Sequence, residues 1–425
     1  MKTDLIDRFP SIHDLSLAAK KRIPCFAWEH LAAGTGEETA IRLNRAAFNA
    51  VRIVPQFLDG KMAPDLATRV FDQEFQAPFG IAPAGLTGLI WPDGEHILAL
   101  AAACHGIPYC LSAVACETPE SVGPMTQGRG WFQLYPPMDR TIRDDLIRRA
   151  RESGFTALIV TVDVPAYGMR ERQRRAGLRD PPRIALNTLL QIAARPSWTT
   201  ATLLHGAPRF RTLEKYVSDR DRARAAHFVL HELSAAVDGK YLSEVRDQWH
   251  GPLILKGILH PADARRAVEF GVNGIIVSNH GGRQFDGAPA SIQALPEIVD
   301  AVGGTTTIIL DSGVRTGLDI VRAIALGADF VLLGRAFLYG VAALGRRGAD
   351  HVFRLLKEDA TNNMTQLGVA SLDALRHMRK DAAWRTDFCD ALRSAWGRRL
   401  RHGPRDTEPA GGHQDLHPDA PQSVR

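Results

Sequence analysis

An α/β fold is what this sequence of 425 residues predicts: a TIM (β/α)8 barrel with an N-terminal helical cap and a long insertion after its fourth strand. Two observations carry the prediction. First, eight short apolar runs, 79–83, 108–112, 131–135, 158–163, 253–256, 275–278, 307–311 and 330–333, alternate with amphipathic stretches such as 141–153, 261–270 and 317–326. Second, nearly every run ends in a group that can hydrogen-bond or titrate. A barrel draws its chemistry from the C-terminal ends of many strands. The alternative, a doubly wound sheet, needs such groups only beside its switch point.

The ends follow in order. The first run closes on Pro83-Ala84-Gly85, the second on Ser112, the third on Gln133 and Tyr135, and the fourth on Thr161 and Asp163. The fifth closes on Lys256, the sixth on Ser278 and His280, the seventh on Asp311-Ser312-Gly313, and the eighth on Gly334-Arg335. Residues 1–75 read as a helical cap, with Trp28, Leu31, Ile41 and Phe48 as packing positions, and 76–385 as the barrel. The connection 164–251 is abnormally long. Its part 184–204 is apolar and follows a cluster of Arg170, Arg172, Arg174, Arg175, Arg179 and Arg183. An active-site lid, a partner contact or a membrane-surface helix all fit this segment. Residues 345–400 read as closing helices and the tail 386–425 as partly disordered, with a second arginine cluster around Arg393 to Arg405.

Composition bounds the partners. With 45% hydrophobic and 23% charged residues the chain can bury a sizeable core, and a net charge of +5 is mildly basic. Either arginine cluster can be a solvated loop or an anion-binding surface; nucleic acid is not an expected partner. The five cysteines form no CxxC pair and read as reduced, buried thiols of a cytoplasmic protein. No metal-ligand spacing and no uninterrupted membrane span stand out.

The sharpest signal is Ser278-Asn279-His280-Gly281-Gly282-Arg283-Gln284-Phe285-Asp286-Gly287. A histidine leaving a strand end can move a proton, an arginine three residues on can clamp a carboxylate, and the glycines admit a flat ligand. Proton or redox chemistry on a small anionic substrate follows.

Together the segments 81–88, 131–135, 255–257, 278–287, 311–315 and 333–336 resemble the FMN-dependent L-2-hydroxy-acid oxidising family, over roughly residues 10–385. The resemblance implies FMN as cofactor and oxidation of a 2-hydroxy acid to the 2-oxo acid. The electrons would pass to a quinone, another carrier or O2. An O2-using oxidase, a flavin oxidase of a modified peptide or amino compound, and a non-catalytic FMN-binding barrel are the other readings. It further implies His280 as base, Asp163 as its partner, Tyr135 beside the substrate, and Arg283 with Arg170 on the substrate carboxylate. Pro83, Ala84, Gly85, Ser112, Gln133, Thr161, Lys256 and Ser278 would face the flavin. Lys256 would stabilise negative charge on the reduced ring. Asp311, Gly313, Arg315, Gly334 and Arg335 end the last two strands, where this barrel holds phosphate. One phosphate suits FMN better than a dinucleotide, and no GxGxxG follows an early strand. A family tyrosine of the N-terminal helix is replaced by His30, which can donate to a carboxylate and would add charge if protonated. Val114, where a family member has tryptophan, would widen the side-chain pocket, and Tyr167 and Met169 would line it from the long loop. A homo-oligomer, a ring of four, and peripheral attachment to the inner face of the cell membrane are the assembly and location the resemblance suggests.

Overall fold

Eight parallel strands close on themselves in the computed structural model, which describes residues 4–58, 60, 63–178, 186–217, 228, 232–380 and 384–386. They are β1 (Phe79–Ile81), β2 (Tyr109–Ser112), β3 (Gly130–Leu134), β4 (Ala157–Thr161), β5 (Leu253–Ile258), β6 (Gly274–Val277), β7 (Thr307–Leu310) and β8 (Phe330–Leu333). Each expected run became a strand. Closure runs through β8 and β1, where Val331 pairs with Phe79 and Leu333 with Ile81. Six of the eight are buried at every position and the other two at all but one, which is why they read as continuous apolar runs and not as alternating ones. Trp131, Ile159, Ile254, Ile276, Ile309 and Phe330 fill the barrel interior.

The helical reading of residues 1–75 holds only to residue 50. Helices Ile12–Arg22, Cys25–Ala32 and Thr39–Ala50 form the cap, but Val51–Ile53 is a strand paired with Trp384–Thr386. Thr68–Val70 and Gln73–Phe75 form a hairpin. Its turn residues Phe71 and Asp72 both adopt positive φ, +52° and +61°, the mirror-image turn that matches strand twist. Phe71 and Phe75 then seat against Trp131 at 5.7 and 6.1 Å between rings. The hairpin therefore stoppers the N-terminal end of the barrel and leaves the C-terminal end open.

The insertion after β4 is partly the barrel's own. Gly239–Gln248, capped by Asp238 accepting from the Tyr241 amide, precedes β5 as an ordinary barrel helix. The rest carries short helices Glu171–Arg175, Leu186–Ala193 and Pro196–His205. Trp198 anchors the last: its Nε1 donates to Leu89 O at 3.2 Å and its ring stands edge-on to Phe26. Gln191 Oε1 accepts from the Phe26 amide, and Arg195 Nε donates to Ile23 O. Away from these anchors Leu186, Leu190, Leu203 and Leu204 are 61–80% exposed. Among the described residues no helix is long and apolar enough to cross a membrane. Arg179, Arg183, the 393–405 cluster, Cys389 and nearly all of the expected tail lie outside the described residues. Of the described cysteines, Cys110 and Cys116 are buried, whereas Cys25 and Cys104 are exposed, contrary to the expectation of buried thiols; each lies at an end of its helix, outside the set of buried positions.

Candidate active site

The open end of the barrel holds a cavity of about 890 Å³, within the range of cofactor-plus-substrate pockets. Pro83, Ala84, Gly85, Gln133, Thr161, Lys256, Asp311, Gly313, Arg315, Gly334 and Arg335 line it, as do His30, Tyr135, Arg170, His280 and Arg283. Three expected site residues stand behind the wall: Ser112, Asp163 and Ser278.

Each of these three orients a lining residue. Ser112 Oγ donates to Gln133 Oε1 at 2.6 Å, and Gln133 Nε2 donates to Thr161 Oγ1 at 2.8 Å. That chain fixes which way the amide points. Ser278 Oγ accepts from Lys256 Nζ at 2.9 Å and from the His280 amide at 3.0 Å. Lys256 also faces Asp311 Oδ2 at 3.3 Å. Burial opposes its charge, but Asp311 and Asp163 outweigh burial and hold its pKa above the ordinary value, so it is an ammonium.

His280 bonds on both sides. Nδ1 lies 3.0 Å from Asp163 Oδ1, and Nε2 lies 3.2 Å from the Tyr135 hydroxyl. Burial pulls its pKa below the ordinary value, against the raising pull of Asp163, with Lys256 also lowering it. A neutral imidazole with its proton on Nδ1 satisfies both contacts and leaves Nε2 basic. The backbone that delivers it is unusual: His280, Gly281 and Gly282 have φ of +57°, +67° and +72°. The turn is held by Ser312 Oγ, which accepts from the Asn279 and Gly281 amides. Asn279 in turn exchanges amide hydrogen bonds with Asn44 of the cap.

Arg283 is a buried cation without a carboxylate. Its Nη1 donates to His30 O and Ala33 O at 2.9 and 2.8 Å; no ion pair is found for it among the described residues. Burial, then Arg170 and Arg335, pull its pKa well below the ordinary value, the mark of a site that expects an anion. Arg335 is spent differently from expectation. Its three guanidinium nitrogens donate to the carbonyls of Leu31, Gly281 and Ala33, so it ties the cap to the catalytic turn as well as lining the cavity.

His30 also departs from expectation. Its Nε2 lies 3.2 Å from Gly85 O, so the imidazole donates to a carbonyl. Burial, then Arg283, pushes its pKa down to about 3, and it adds no charge. Asn44, Asn279 and Ser312 are the functional supports that the sequence reading missed. Asn279 and Ser312 sat within the quoted motifs but announce no role until the turn is seen folded.

Seven arginines and one lysine line the cavity against a single carboxylate, Asp311. Arg174, Arg175 and Arg209 among them are exposed, but Arg283 is desolvated without a carboxylate partner among the described residues, and an uncompensated buried cation is costly, so the inner wall expects bound anions. FMN fits it: a phosphate for the Gly313–Arg315 and Gly334–Arg335 corner, and a flat ring for the Gln133, Thr161 and Lys256 floor. The fold and this donor set define a class, the barrel oxidoreductases built around one flat, singly phosphorylated cofactor. The chain belongs to the FMN-dependent dehydrogenase family, whose model matches residues 19–381. It is 39% identical over 363 residues to an L-lactate dehydrogenase of Pseudomonas aeruginosa (strain UCBPP-PA14), covering 84% of this chain and 94% of that protein. An L-lactate dehydrogenase of Xanthomonas axonopodis pv. citri (strain 306) is 38% identical over 379 residues, covering 87% and 97%. Among solved structures, (S)-mandelate dehydrogenase, a monotopic membrane protein, aligns with TM-score 0.82 and 33% identity over 89% of this chain and 99% of that one. Mandelate oxidase aligns with TM-score 0.74 and 34% identity, over 89% and 98%.

Proposed function

We propose that the protein oxidises an L-2-hydroxy acid to the 2-oxo acid, with His280 as the base. The observation that carries this is the Asp163–His280–Tyr135 array beside Arg283: a base, its orienter, a hydroxyl and an anion clamp within one cavity. Arg283 takes the substrate carboxylate through the guanidinium nitrogens not bound to His30 O and Ala33 O, with Arg170 alongside. Arg170 Nε is buried without a partner among the described residues, consistent with a ligand completing it. The substrate hydroxyl then lies against His280 Nε2, which accepts a proton. Asp163 stabilises the imidazolium that results. Tyr135 donates to the substrate oxygen; burial raises its pKa, so the phenol keeps its proton. Pro83, Ala84, Gly85, Gln133, Thr161 and Lys256 hold the flavin ring, oriented by Ser112 and Ser278. Asp311, Gly313, Arg315, Gly334 and Arg335 hold its phosphate end. FMN, when bound, would supply the acceptor for the electron pair together with the Cα hydrogen.

We further propose that the 186–205 helices rest on a membrane surface, through Leu186, Leu190, Leu203 and Leu204, so that a quinone or similar carrier takes the electrons. Their exposure on helices anchored by Trp198 supports this over a lid. A homo-oligomer of four subunits is the assembly expected from the resemblance.

Anaerobic mixing with L- and D-2-hydroxy acids tests the reading. A yellow protein bleached by L-acids alone is the expected result. A yellow protein that no hydroxy acid bleaches contradicts it. Admitting air afterwards separates carrier use from O2 use by the rate of colour return.

A further inference from the structure

The cavity does not end above the catalytic group. The residues lining it also include Met169, Leu178, Pro208 and Phe210 with Arg174, Arg175 and Arg209, which form an outer vestibule more exposed than Tyr135 and Arg283. These come from the insertion, not from the barrel ends. Arg209 pairs with Glu214 at 3.3 Å, whereas Arg174 and Arg175 enter no ion pair among the described residues. The neighbouring Arg172 is unlike them: it is locked to Glu29 and Glu38 at 2.5 and 2.8 Å. Gln173, 7% exposed and also lining the cavity, has its Nε2 buried without a partner. A flavin phosphate and one substrate carboxylate neutralise the inner cations only. Arg174 and Arg175, both exposed, and the buried Gln173 amide donor then stand beside the apolar wall without a carboxylate partner among the described residues.

We propose that this vestibule is a second anion subsite. The preferred substrate is a 2-hydroxy acid whose apolar side chain ends in a second carboxylate. This rests on the hydroxy-acid reading above and deepens it. The first carboxylate goes to Arg283, the methylenes lie along Met169, Leu178 and Phe210, and the far carboxylate meets Arg174, Arg175 and Gln173 Nε2. Arginine suits this because its planar fork matches a carboxylate.

The test uses the FMN-loaded protein and two series of L-2-hydroxy acids of equal carbon number: 2-hydroxy-α,ω-dicarboxylates from five carbons upward, and the matching 2-hydroxyalkanoates. The dicarboxylates are expected to be preferred in kcat/KM by about tenfold at their best length, as two exposed ion pairs and a hydrogen bond from the buried Gln173 amide warrant, and less so as salt is raised. R174Q/R175Q should reduce that preference by a similar factor, carried in KM, and R174K/R175K should restore part of it. In parallel, titration calorimetry measures binding of the unreactive 2-oxo dicarboxylate to parent and variant; weaker binding to R174Q/R175Q is expected. Equal or better use of the monocarboxylates at every length, with a ratio untouched by the substitutions, overturns the proposal. So does a variant that loses only its flotation with phosphatidylglycerol vesicles, because the arginines would then serve lipid headgroups. If no hydroxy acid bleaches the flavin, the hydroxy-acid reading fails, and the calorimetry alone still decides whether the vestibule binds a distal anion.

Discussion

Asn44 and Asn279 exchange two amide hydrogen bonds, 2.9 and 2.8 Å long, across 235 residues of sequence. Both are buried. The pair fastens the cap helix Thr39–Ala50 to the first residue of the turn that carries His280. Asn279 is fully used: Oδ1 also accepts from the Gly282 amide, and Nδ2 also donates to Pro289 O. Asn44→Ala strips two of these bonds and leaves buried groups unpaired, a cost of about 1–3 kcal/mol. A lower denaturation midpoint, with a fall in the rate of flavin reduction larger than any fall in FMN content, is expected. Unchanged stability and rate would mean the turn holds its shape without the cap.

Asp163→Asn should reduce flavin reduction by about 10²–10⁴-fold. The amide cannot stabilise an imidazolium and can reverse the tautomer. Stopped-flow reduction under saturating substrate reads this directly, and a change of less than threefold would remove Asp163 from the chemistry.

Gly257 makes room for that carboxylate. It has φ +109°, and a Cβ there would lie 2.5 Å from both Cβ and Cγ of Asp163. The break in pairing between Lys256 and Ile258 on β5 sits at the same place. Gly257→Ala forces the Asp163 side chain away from His280. It should therefore resemble Asp163→Asn in reduction rate and also lower thermal stability, because the backbone conformation itself disfavours a side chain. A Gly257→Ala protein as fast as the parent would mean that the Asp163 contact is dispensable.

The pH dependence has a definite sign. His280 must be neutral to accept a proton, and its pKa lies below the ordinary histidine value. The reduction rate should therefore be flat through neutrality and decline only as pH falls below about 6.5. In Asp163→Asn the raising influence of the carboxylate is gone, so the acid limb should move to lower pH. A limb above neutrality in the parent would show that a different group titrates.

The barrel was legible because each strand is buried on both faces and announces itself as an apolar run; the polar residue that closes each run lies at or just beyond the last paired position, as Asp163 and Tyr135 do. The chemistry was legible for the same reason, since His280, Lys256 and Arg283 are charges or bases where a core would not tolerate them. What was not legible is what depends on meeting a distant partner. His30 reads as a charged substrate ligand until Gly85 O is found beside it. Ser112 reads as a flavin ligand until Gln133 is seen to intervene. The hairpin 68–75 was hidden because its strands are three residues each, too short for a period to emerge.

Whether His280 is the base is decided most directly by single-turnover flavin reduction by an L-2-hydroxy acid in His280→Gln, at matched FMN content with the parent. A bound, yellow flavin is expected, with a reduction rate lower by at least about 10²-fold, the share usual for a general base. Reduction within about tenfold of the parent would contradict it and place the proton elsewhere.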